Sequence, residues 1–201
     1  MWDNEQMSLR KTVQELDKKY HNRQVVLVDE QDKELGTADI YEAHQGKGLK
    51  HRALSVILYR KREGKLELLH QKRSRQKPVF KQLWSNTCCT NLRQGDTYLE
   101  RAVSRLDEEM GIKLTKNNLR KLFQFSYEVD DPRNEGWCEN ELDTVFVGEW
   151  DGKVQVNPDE AEDYKWIELG QLQGDLVENP DIYSPWHKMI IGDKRFVKEL
   201  I

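Results

Sequence analysis

Two adjacent cysteines and a charged helical segment share one short stretch, residues 83–112, where they could perform acid–base chemistry on a metal-bound diphosphate. The thiols belong to Cys88 and Cys89. Arg105 and Glu109 are four residues apart, so they are neighbours on one face of a helix. A surface salt bridge beside two buried thiols is the simpler interpretation, and composition by itself favours it.

A second group of candidate ligands is a pair of histidines, His44 and His51. On a straight helix, residues seven apart would be about 10 Å apart along the axis, too far to share an ion. Two glycines between them predict a loop instead, and in a loop the two rings can converge. Neutral imidazole is a common metal ligand, so the pair could bind an ion. Two surface histidines are the alternative.

Two acids, Glu139 and Glu141, begin an otherwise apolar segment. In a strand, residues two apart point to the same side with Cα atoms about 6.5–7 Å apart, so both carboxylates can reach one ion. Buried acids are costly unless they are paired or coordinate a metal. We therefore favour a functional role for this pair over a structural one.

A run of cations spans residues 72–77 and includes Arg73 and Lys77. Arginine forks match phosphate oxygens, so the run could line a pocket for a polyanion, although a solvated charge run is the alternative. Further along, residues 183–186 predict a loop in which Trp186 could offer an aromatic face to such a pocket. A core role for Trp186 is equally compatible with the sequence.

A short amphipathic helix must position the arginine and glutamate. Thr97 predicts its N-cap, with Glu100 completing a capping box, and Gly111 predicts its end. One apolar stripe faces a core, and the charged residues stand off that stripe. The stripe consists of Leu99, Ala102, Val103, Leu106 and Met110.

Strands are predicted around this helix. A short strand at residues 25–28, an acidic turn and a second strand come first. Residues 53–60 are nearly continuously apolar and predict a strand buried on both faces. Further strands are predicted near residues 121–131, 138–150 and 162–169, and the remainder, from residue 170, is predicted to be partly helical.

Composition limits the classes of function. The chain has 201 residues, a net charge of −4 and 37% hydrophobic residues, which suits one domain and gives no electrostatic footprint for nucleic acid. Neither a signal peptide nor a long apolar run is visible, so no membrane association is expected. Three cysteines do not make a disulfide framework, so a reducing cytoplasm is the expected location. We expect a helical extension at residues 1–22 and a single domain at 23–201.

Five separate motifs occur in order over most of the chain: HQGKGLKH at 44–51, WSNTCC at 84–89, a helix ending in EEMGI, CENE at 138–141 and YSPW at 183–186. From about residue 23 onward, the chain resembles type 1 isopentenyl diphosphate isomerase, a branch of the Nudix superfamily. The resemblance implies an α+β fold, an α/β/α sandwich with a mixed sheet between helices. It also implies interconversion of isopentenyl and dimethylallyl diphosphate. We expect the protein to be a monomer.

The resemblance further implies a role for each site residue. Cys89 and Glu141 match the groups that protonate and deprotonate the substrate from opposite faces. A first divalent metal, Mg²⁺, Mn²⁺ or Zn²⁺, would be bound by His44, His51, Glu139 and Glu141. Glu109 matches a ligand of an Mg²⁺ that also holds the diphosphate. The substrate-binding residues would be Arg73, Lys77, Arg105, Tyr127 and Trp186.

Three positions depart from the family pattern. A third metal-binding histidine is replaced by Asn91, whose amide oxygen suits Mg²⁺ better than Zn²⁺. A lysine expected four residues before His44 is Ile40, which removes one cation from the diphosphate pocket. The glycine expected after the cysteine is Thr90.

Two other functions remain open. The first is a Nudix diphosphohydrolase acting on a small prenyl or nucleoside diphosphate, which would use several helix carboxylates to bind metal and activate water. Arg105 stands where that helix signature requires a carboxylate, and it suits holding a diphosphate rather than cutting it. The second is a non-catalytic binding domain of the same fold, against which the joint presence of Cys89, Glu109, Glu139 and Glu141 argues.

Overall fold

A computed structural model describes residues 23–200, which form a mixed β-sheet with helices on both faces. The strands are β1 (Gln24–Val28), β2 (Glu34–Asp39), β3 (His51–Arg62), β4 (Lys65–Arg73), β5 (Trp84–Ser85), β6 (Cys88–Asn91), β7 (Leu119–Asp130), β8 (Cys138–Glu149) and β9 (Ala161–Glu168). The helices are α1 (Ile40–Ala43), α2 (Tyr98–Met110), α3 (Leu169–Glu178), α4 (Pro185–Gly192) and α5 (Lys194–Leu200). In this range, no helix has the length and apolar character needed to cross a membrane. The extension predicted for residues 1–22 lies outside the described residues.

Strand β3 is the centre of the sheet. One edge pairs with β8 in parallel, from His51 opposite Glu141 to Tyr59 opposite Glu149. The other edge pairs antiparallel with β1, β6 and β4 in turn. β7 then pairs antiparallel with β8, and β9 pairs antiparallel with β4. Parallel and antiparallel pairs therefore meet in one sheet, as the predicted fold class requires.

The core lies on both faces of β3, which explains its nearly continuous apolar sequence. Ile57 packs in one cluster with Leu172, Ile190 and Phe196 of the three C-terminal helices. Leu54, Val56 and Leu58 pack on the opposite face against α2. Successive strand residues point to opposite faces, so a strand between two helical layers needs apolar residues at every position. Of the residues predicted to be buried, 53–60, the structure buries 53–58, whereas Tyr59 and Arg60 are half-buried.

Helix α2 begins and ends at the predicted cap residues, but its N-terminal hydrogen bonding differs from the prediction. Gly111 adopts the left-handed conformation with φ 63°, and a Cβ there would be 2.8 Å from the Gln155 carbonyl oxygen. Thr97 is the N-cap residue, but its side chain makes no capping hydrogen bond to the backbone. Its hydroxyl instead donates to the Glu100 carboxylate at 2.7 Å, so the predicted capping box is wrong.

The charged residues of α2 are more buried than a surface helix would allow. Arg101, Arg105 and Glu109 are buried, whereas Glu108 is exposed. The simpler interpretation of Arg105 and Glu109 as a surface salt bridge is therefore wrong. A buried ion pair must be compensated by further charged and polar partners, which directs attention to what surrounds it.

The C-terminal motif at residues 183–186 is not the predicted loop. Ser184 is the N-cap of α4, and Pro185 and Trp186 form its first turn. Proline is favoured at this position because its missing N–H has no partner in a helix in any case. Trp186 is 2% exposed and packs in the core from the first turn of this helix.

A buried pair of histidines joins α4 to the sheet. His70 on β4 and His187 on α4 approach to 3.0 Å between their Nε2 atoms, and both are fully buried. Nδ1 of His70 donates to the Leu68 carbonyl at 3.0 Å. Burial lowers the pKa of His70 to about 3 and that of His187 well below its usual value, with the neighbouring ring contributing to the latter. Both rings are neutral in the folded protein.

We expect His187→Gln to make the protein less sensitive to acid. When the pH is lowered from 7.5 to 5.0, the unfolded chain binds a proton at each of these histidines and the folded chain does not. The free energy of unfolding therefore falls as the pH falls. Removing one such site should reduce that fall by about 2 kcal/mol. Urea unfolding of wild type and His187→Gln at the two pH values measures this fall in the free energy of unfolding. Met189→Gln, which changes no titratable group, is the control. The prediction is contradicted if the fall is the same in His187→Gln as in wild type.

Candidate active site

One pocket is lined by residues of β4, β6, β7 and β8 and of helices α1, α2 and α4, and it contains most of the predicted site residues. Of the twelve predicted site residues, ten line this pocket, and the other two, His51 and Glu109, are fully buried beside it. The ten are His44, Arg73, Lys77, Cys89, Asn91, Arg105, Tyr127, Glu139, Glu141 and Trp186.

Strand register and one tight loop bring the histidines to the acids. His51 lies opposite Glu141 in the β3–β8 pairing. The carbonyl of His44, at the end of α1, accepts a hydrogen bond from the Cys138 amide at 2.9 Å, next to Glu139. Gly48 permits this approach, because a Cβ there would be 2.6 Å from Sγ of Cys138. The predicted convergence of the rings is confirmed, with centroids 4.7 Å apart.

These four side chains form a compact group of candidate metal ligands. One ligand atom from each of His44, His51, Glu139 and Glu141 lies within 4.8 Å of the others. Nδ1 of His44 donates to the Ile40 carbonyl at 2.6 Å, and Nδ1 of His51 donates to the Leu49 carbonyl at 2.7 Å. These bonds leave Nε2 of each ring facing the carboxylates, which is how metal-binding histidines are oriented.

The electrostatics of this group also fit a divalent cation. Oε2 of Glu139 is 2.9 Å from Nε2 of His44 and has no other hydrogen-bond partner within residues 23–200. Burial and the charge of Glu139 raise the pKa of Glu141. Burial also opposes the charged form of His44, but the Glu139 carboxylate outweighs it and raises the pKa of His44. Two buried acids that repel one another would be stabilised by a bound cation.

Asn91 links two of these ligands. Its Nδ2 donates to Oε1 of Glu141 at 2.9 Å and lies 2.9 Å from Nε2 of His51. In this orientation the amide nitrogen, not the oxygen, faces the ligands. Binding a metal through Oδ1, as predicted, would require the amide to turn.

Cys89 lies on β6 opposite Ser55, with its side chain half-buried at the pocket. Burial raises the pKa of its thiol to about 12, although the nearby Arg73 guanidinium acts in the opposite direction. Nη1 of Arg73 is 3.3 Å from Sγ. The sulfur therefore carries a proton at neutral pH, and a cation lies beside it to stabilise the thiolate that loss of this proton would leave.

Glu141 and two aromatic side chains line the same pocket. The Tyr127 hydroxyl donates to Oε2 of Glu141 at 2.5 Å. Burial, and to a smaller extent the negative charge of Glu141, raises the pKa of Tyr127 well above its usual value. The rings of Tyr127 and Trp186 are stacked with centroids 6.2 Å apart. Nε1 of Trp186 donates to Oδ1 of Asn86 at 3.1 Å, which fixes the indole.

The pocket cations are held by buried acids. Arg105 forms an ion pair with Glu109, and Lys77 forms one with Glu160. Arg105 also contacts Glu160 at 3.1 Å, and Gln71 donates to Glu109 at 2.9 Å. Of the predicted cation run at 72–77, Arg73 and Lys77 face the pocket, whereas Lys72 and Arg75 pair with Glu162 outside it.

The sequence did not predict roles for Glu160, Asn86 or Arg23. Glu160 belongs to an acidic segment that resembles a solvated turn, yet it is 3% exposed. Asn86 belongs to the motif at 84–89, from which only Cys89 was assigned a role; its Nδ2 donates to the Cys88 carbonyl at 2.6 Å, so it also braces the backbone beside Cys89. Arg23 lines the pocket from the residue before β1.

We expect Glu139→Gln to weaken binding of a divalent metal by about tenfold or more, because it replaces a ligand carboxylate with a neutral amide. Isothermal titration calorimetry with Mn²⁺ measures this directly. Glu149→Gln, an exposed position on the same strand, is the control. Equal affinities in wild type and Glu139→Gln would contradict a metal site at this cluster.

Comparisons with known proteins identify the fold and the family. The NUDIX domain model matches residues 49–187. Solved structures of similar fold include one from Deinococcus radiodurans, at TM-score 0.66 and 18% identity, covering 84% of this chain and 97% of that one. A C. elegans Ap4A hydrolase aligns with TM-score 0.51 and 19% identity, covering 74% and 96%. At such identities the likeness shows the fold alone.

Relatives found by sequence identify the family more narrowly than the fold does. The isopentenyl-diphosphate Delta-isomerase 2 of Aromatoleum aromaticum is 40% identical, covering 81% of this chain and 82% of that protein. That of Photorhabdus laumondii is 39% identical, covering 84% and 90%. The Salmonella typhi isopentenyl-diphosphate Delta-isomerase is 35% identical, covering 88% and 94%. The chain therefore belongs to the Nudix superfamily and, within it, to the isopentenyl-diphosphate Delta-isomerase family.

Proposed function

We propose that this protein interconverts isopentenyl and dimethylallyl diphosphate, with Cys89 and Glu141 as the two proton-transferring groups. The observation that carries the proposal is that a protonated thiol and a carboxylate with a raised pKa line one pocket together with two stacked aromatic rings. Family membership supplies the substrate class, and the pocket supplies the groups that the reaction needs.

The reaction moves a double bond by two proton transfers. The electron pair of the alkene takes a proton at its terminal carbon, which leaves a positive charge on the tertiary carbon. Loss of a proton from the neighbouring carbon on the other side then forms the new double bond. One of Cys89 and Glu141 donates the first proton and the other accepts the second, and their roles exchange in the reverse direction.

Each of these two groups has a neighbour suited to its change of protonation. Arg73, 3.3 Å from Sγ, stabilises a Cys89 thiolate. The Tyr127 hydroxyl donates to Glu141 and so stabilises the carboxylate. Because both partners are fixed before substrate arrives, little reorganisation accompanies either proton transfer.

The tertiary carbocation is the species that the site must stabilise to raise the rate. Trp186 lines the pocket with Tyr127 stacked upon it, and an indole face stabilises a desolvated cation by about 2 kcal/mol or more. Contacts to the diphosphate are the same in substrate and transition state, so they strengthen binding without accelerating the chemical step.

The diphosphate and metals would be bound by the charged residues around the pocket. Arg73, Lys77 and Arg105 would bind the diphosphate oxygens. Glu109 would carry an Mg²⁺ for the same group, exchanging part of its ion pairing with Arg105 and Lys77 for the metal. His44, His51, Glu139 and Glu141 would hold a second ion, Mg²⁺, Mn²⁺ or Zn²⁺. When bound, these ions supply positive charge that offsets the diphosphate and the buried acids.

A diphosphohydrolase remains the alternative within the superfamily, but the helix chemistry disfavours it. Hydrolysis needs carboxylates that gather metal and activate water. In α2 the position of one such carboxylate is Arg105, whose guanidinium is paired with Glu108, Glu109 and Glu160. The cytoplasmic location and the monomeric state stay sequence-based predictions.

The test is proton NMR of isopentenyl diphosphate with purified protein and Mg²⁺ in D₂O. Wild type should form dimethylallyl diphosphate with deuterium incorporated. Cys89→Ser and Glu141→Gln should each lower kcat by at least about a thousandfold, because each removes an essential proton carrier. Cys88→Ala, a buried thiol on the opposite side of the same strand, should retain activity within a few fold.

Each contrary result has a defined meaning. Release of inorganic phosphate by wild type would assign the protein to the hydrolases. Near-normal turnover in either Cys89→Ser or Glu141→Gln would overturn that residue's role while leaving the isomerase activity in place. Circular dichroism of each variant separates loss of chemistry from loss of fold.

The residue at position 91 should influence which metal the site prefers. We expect Asn91→His to tighten Zn²⁺ binding by about tenfold or more, since an imidazole nitrogen suits Zn²⁺ better than an amide does. Calorimetric titration with Zn²⁺ and Mg²⁺ measures the change in preference. Asn140→His, between the two acids but outside the pocket lining, is the matched control. An unchanged Zn²⁺ affinity would place Asn91 outside the coordination sphere.

A further inference from the structure

Arg23 contributes to the same pocket from a part of the chain that no motif covers. It precedes β1 immediately and lines the pocket with Arg73, Lys77 and Arg105. Its carbonyl accepts a hydrogen bond from the Ile40 amide at 2.8 Å. The neighbouring pair in the β1–β2 register, Gln24 opposite Asp39, fixes Arg23 beside Ile40.

The other three pocket cations are extensively engaged by the protein itself. The Arg73 guanidinium donates to the carbonyls of Val79 and Phe80, at 2.8 and 2.9 Å, as well as to Cys89. Lys77 and Arg105 share the buried carboxylates of Glu109 and Glu160. The carboxylates balance the charge of Lys77 and Arg105, whereas these carbonyl and thiol partners of Arg73 are neutral.

A diphosphate entering this pocket also meets two acids that line it, Glu139 and Glu141. Ile40 lines the wall next to Arg23 and offers no charge, although the family resemblance leads us to expect a lysine there. The wall formed by α1 and β1 therefore depends on Arg23 for its positive charge.

We propose that Arg23 is a diphosphate-binding residue that takes over the role of the cation missing at position 40. Its guanidinium can present two parallel N–H donors to phosphate oxygens, a geometry that a lysine cannot reproduce. The inference rests on the proposed function, because it requires a diphosphate substrate. Arg23 acts in binding and takes no part in proton transfer.

The primary test compares wild type with Arg23→Gln. The KM for isopentenyl diphosphate should rise about tenfold or more while kcat stays within a few fold, as expected for loss of a charged hydrogen bond made equally in the ground and transition states. The dissociation constant of inorganic pyrophosphate, measured by calorimetry with Mg²⁺ present, should rise by a similar factor. This second readout does not depend on turnover.

Restoring the charge from the neighbouring wall is the sharper test. Adding Ile40→Lys to Arg23→Gln should recover most of the pyrophosphate affinity, because the two residues share one wall. Arg62→Gln removes an arginine that pairs with Asp151 outside the pocket. It should change neither the KM for isopentenyl diphosphate nor the dissociation constant of pyrophosphate. If Arg23→Gln failed to fold, Arg23→Lys would carry the test, with a smaller loss of about threefold expected.

The outcomes separate this inference from the proposed function. If wild type isomerises its substrate and Arg23→Gln binds substrate and pyrophosphate as tightly as wild type, the role of Arg23 is overturned and the isomerase stands. A fall in kcat with unchanged KM and pyrophosphate affinity would overturn it as well. If wild type does not isomerise isopentenyl diphosphate, the proposed function fails, and pyrophosphate binding still decides whether Arg23 binds diphosphate.

Discussion

The parallel pairing of β3 with β8 is the interaction on which the rest of the structure depends. It sets His51 opposite Glu141 and carries the apolar residues of β3 into the cores on both faces. A shift of one residue would turn every side chain of β8 to the other face and would send the acids into an apolar layer. The hydrophobic pattern of the sheet and the position of the site are therefore fixed together.

Two groups of buried acids lie in or beside this pocket, and they are compensated in different ways. Glu139 and Glu141 face two histidines and an asparagine, an arrangement that a divalent cation would complete. Glu109 and Glu160 are paired with Lys77 and Arg105, so this second group is balanced by protein cations. Buried charges are tolerated only with such partners, and the choice of partner decides which side of the pocket can bind a metal and which an anion.

The helix that carries Arg105 illustrates how one fold supports different chemistry. The fold is shared with an Ap4A hydrolase at TM-score 0.51, yet fold alone does not determine reaction. In this chain, an arginine occupies the position of a helix carboxylate and is tied to three acids. The same pocket contains a protonated thiol and a stacked pair of aromatic rings, groups suited to proton transfer through a carbocation.

The sequence by itself determined most of the strands, the apolar stripe of α2, its end at Gly111 and the identities of most pocket residues. These features depend on local periodicity, on a glycine conformation or on recognisable motifs. Tertiary structure alone decided that Arg105 and Glu109 are buried, that Trp186 belongs to a helix, and that Glu160 pairs with Lys77 across 83 residues. It also decided that Arg23 lines the pocket beside Ile40. Such pairings follow from strand register and layer packing, which join distant segments whose own sequences carry no sign of their partners.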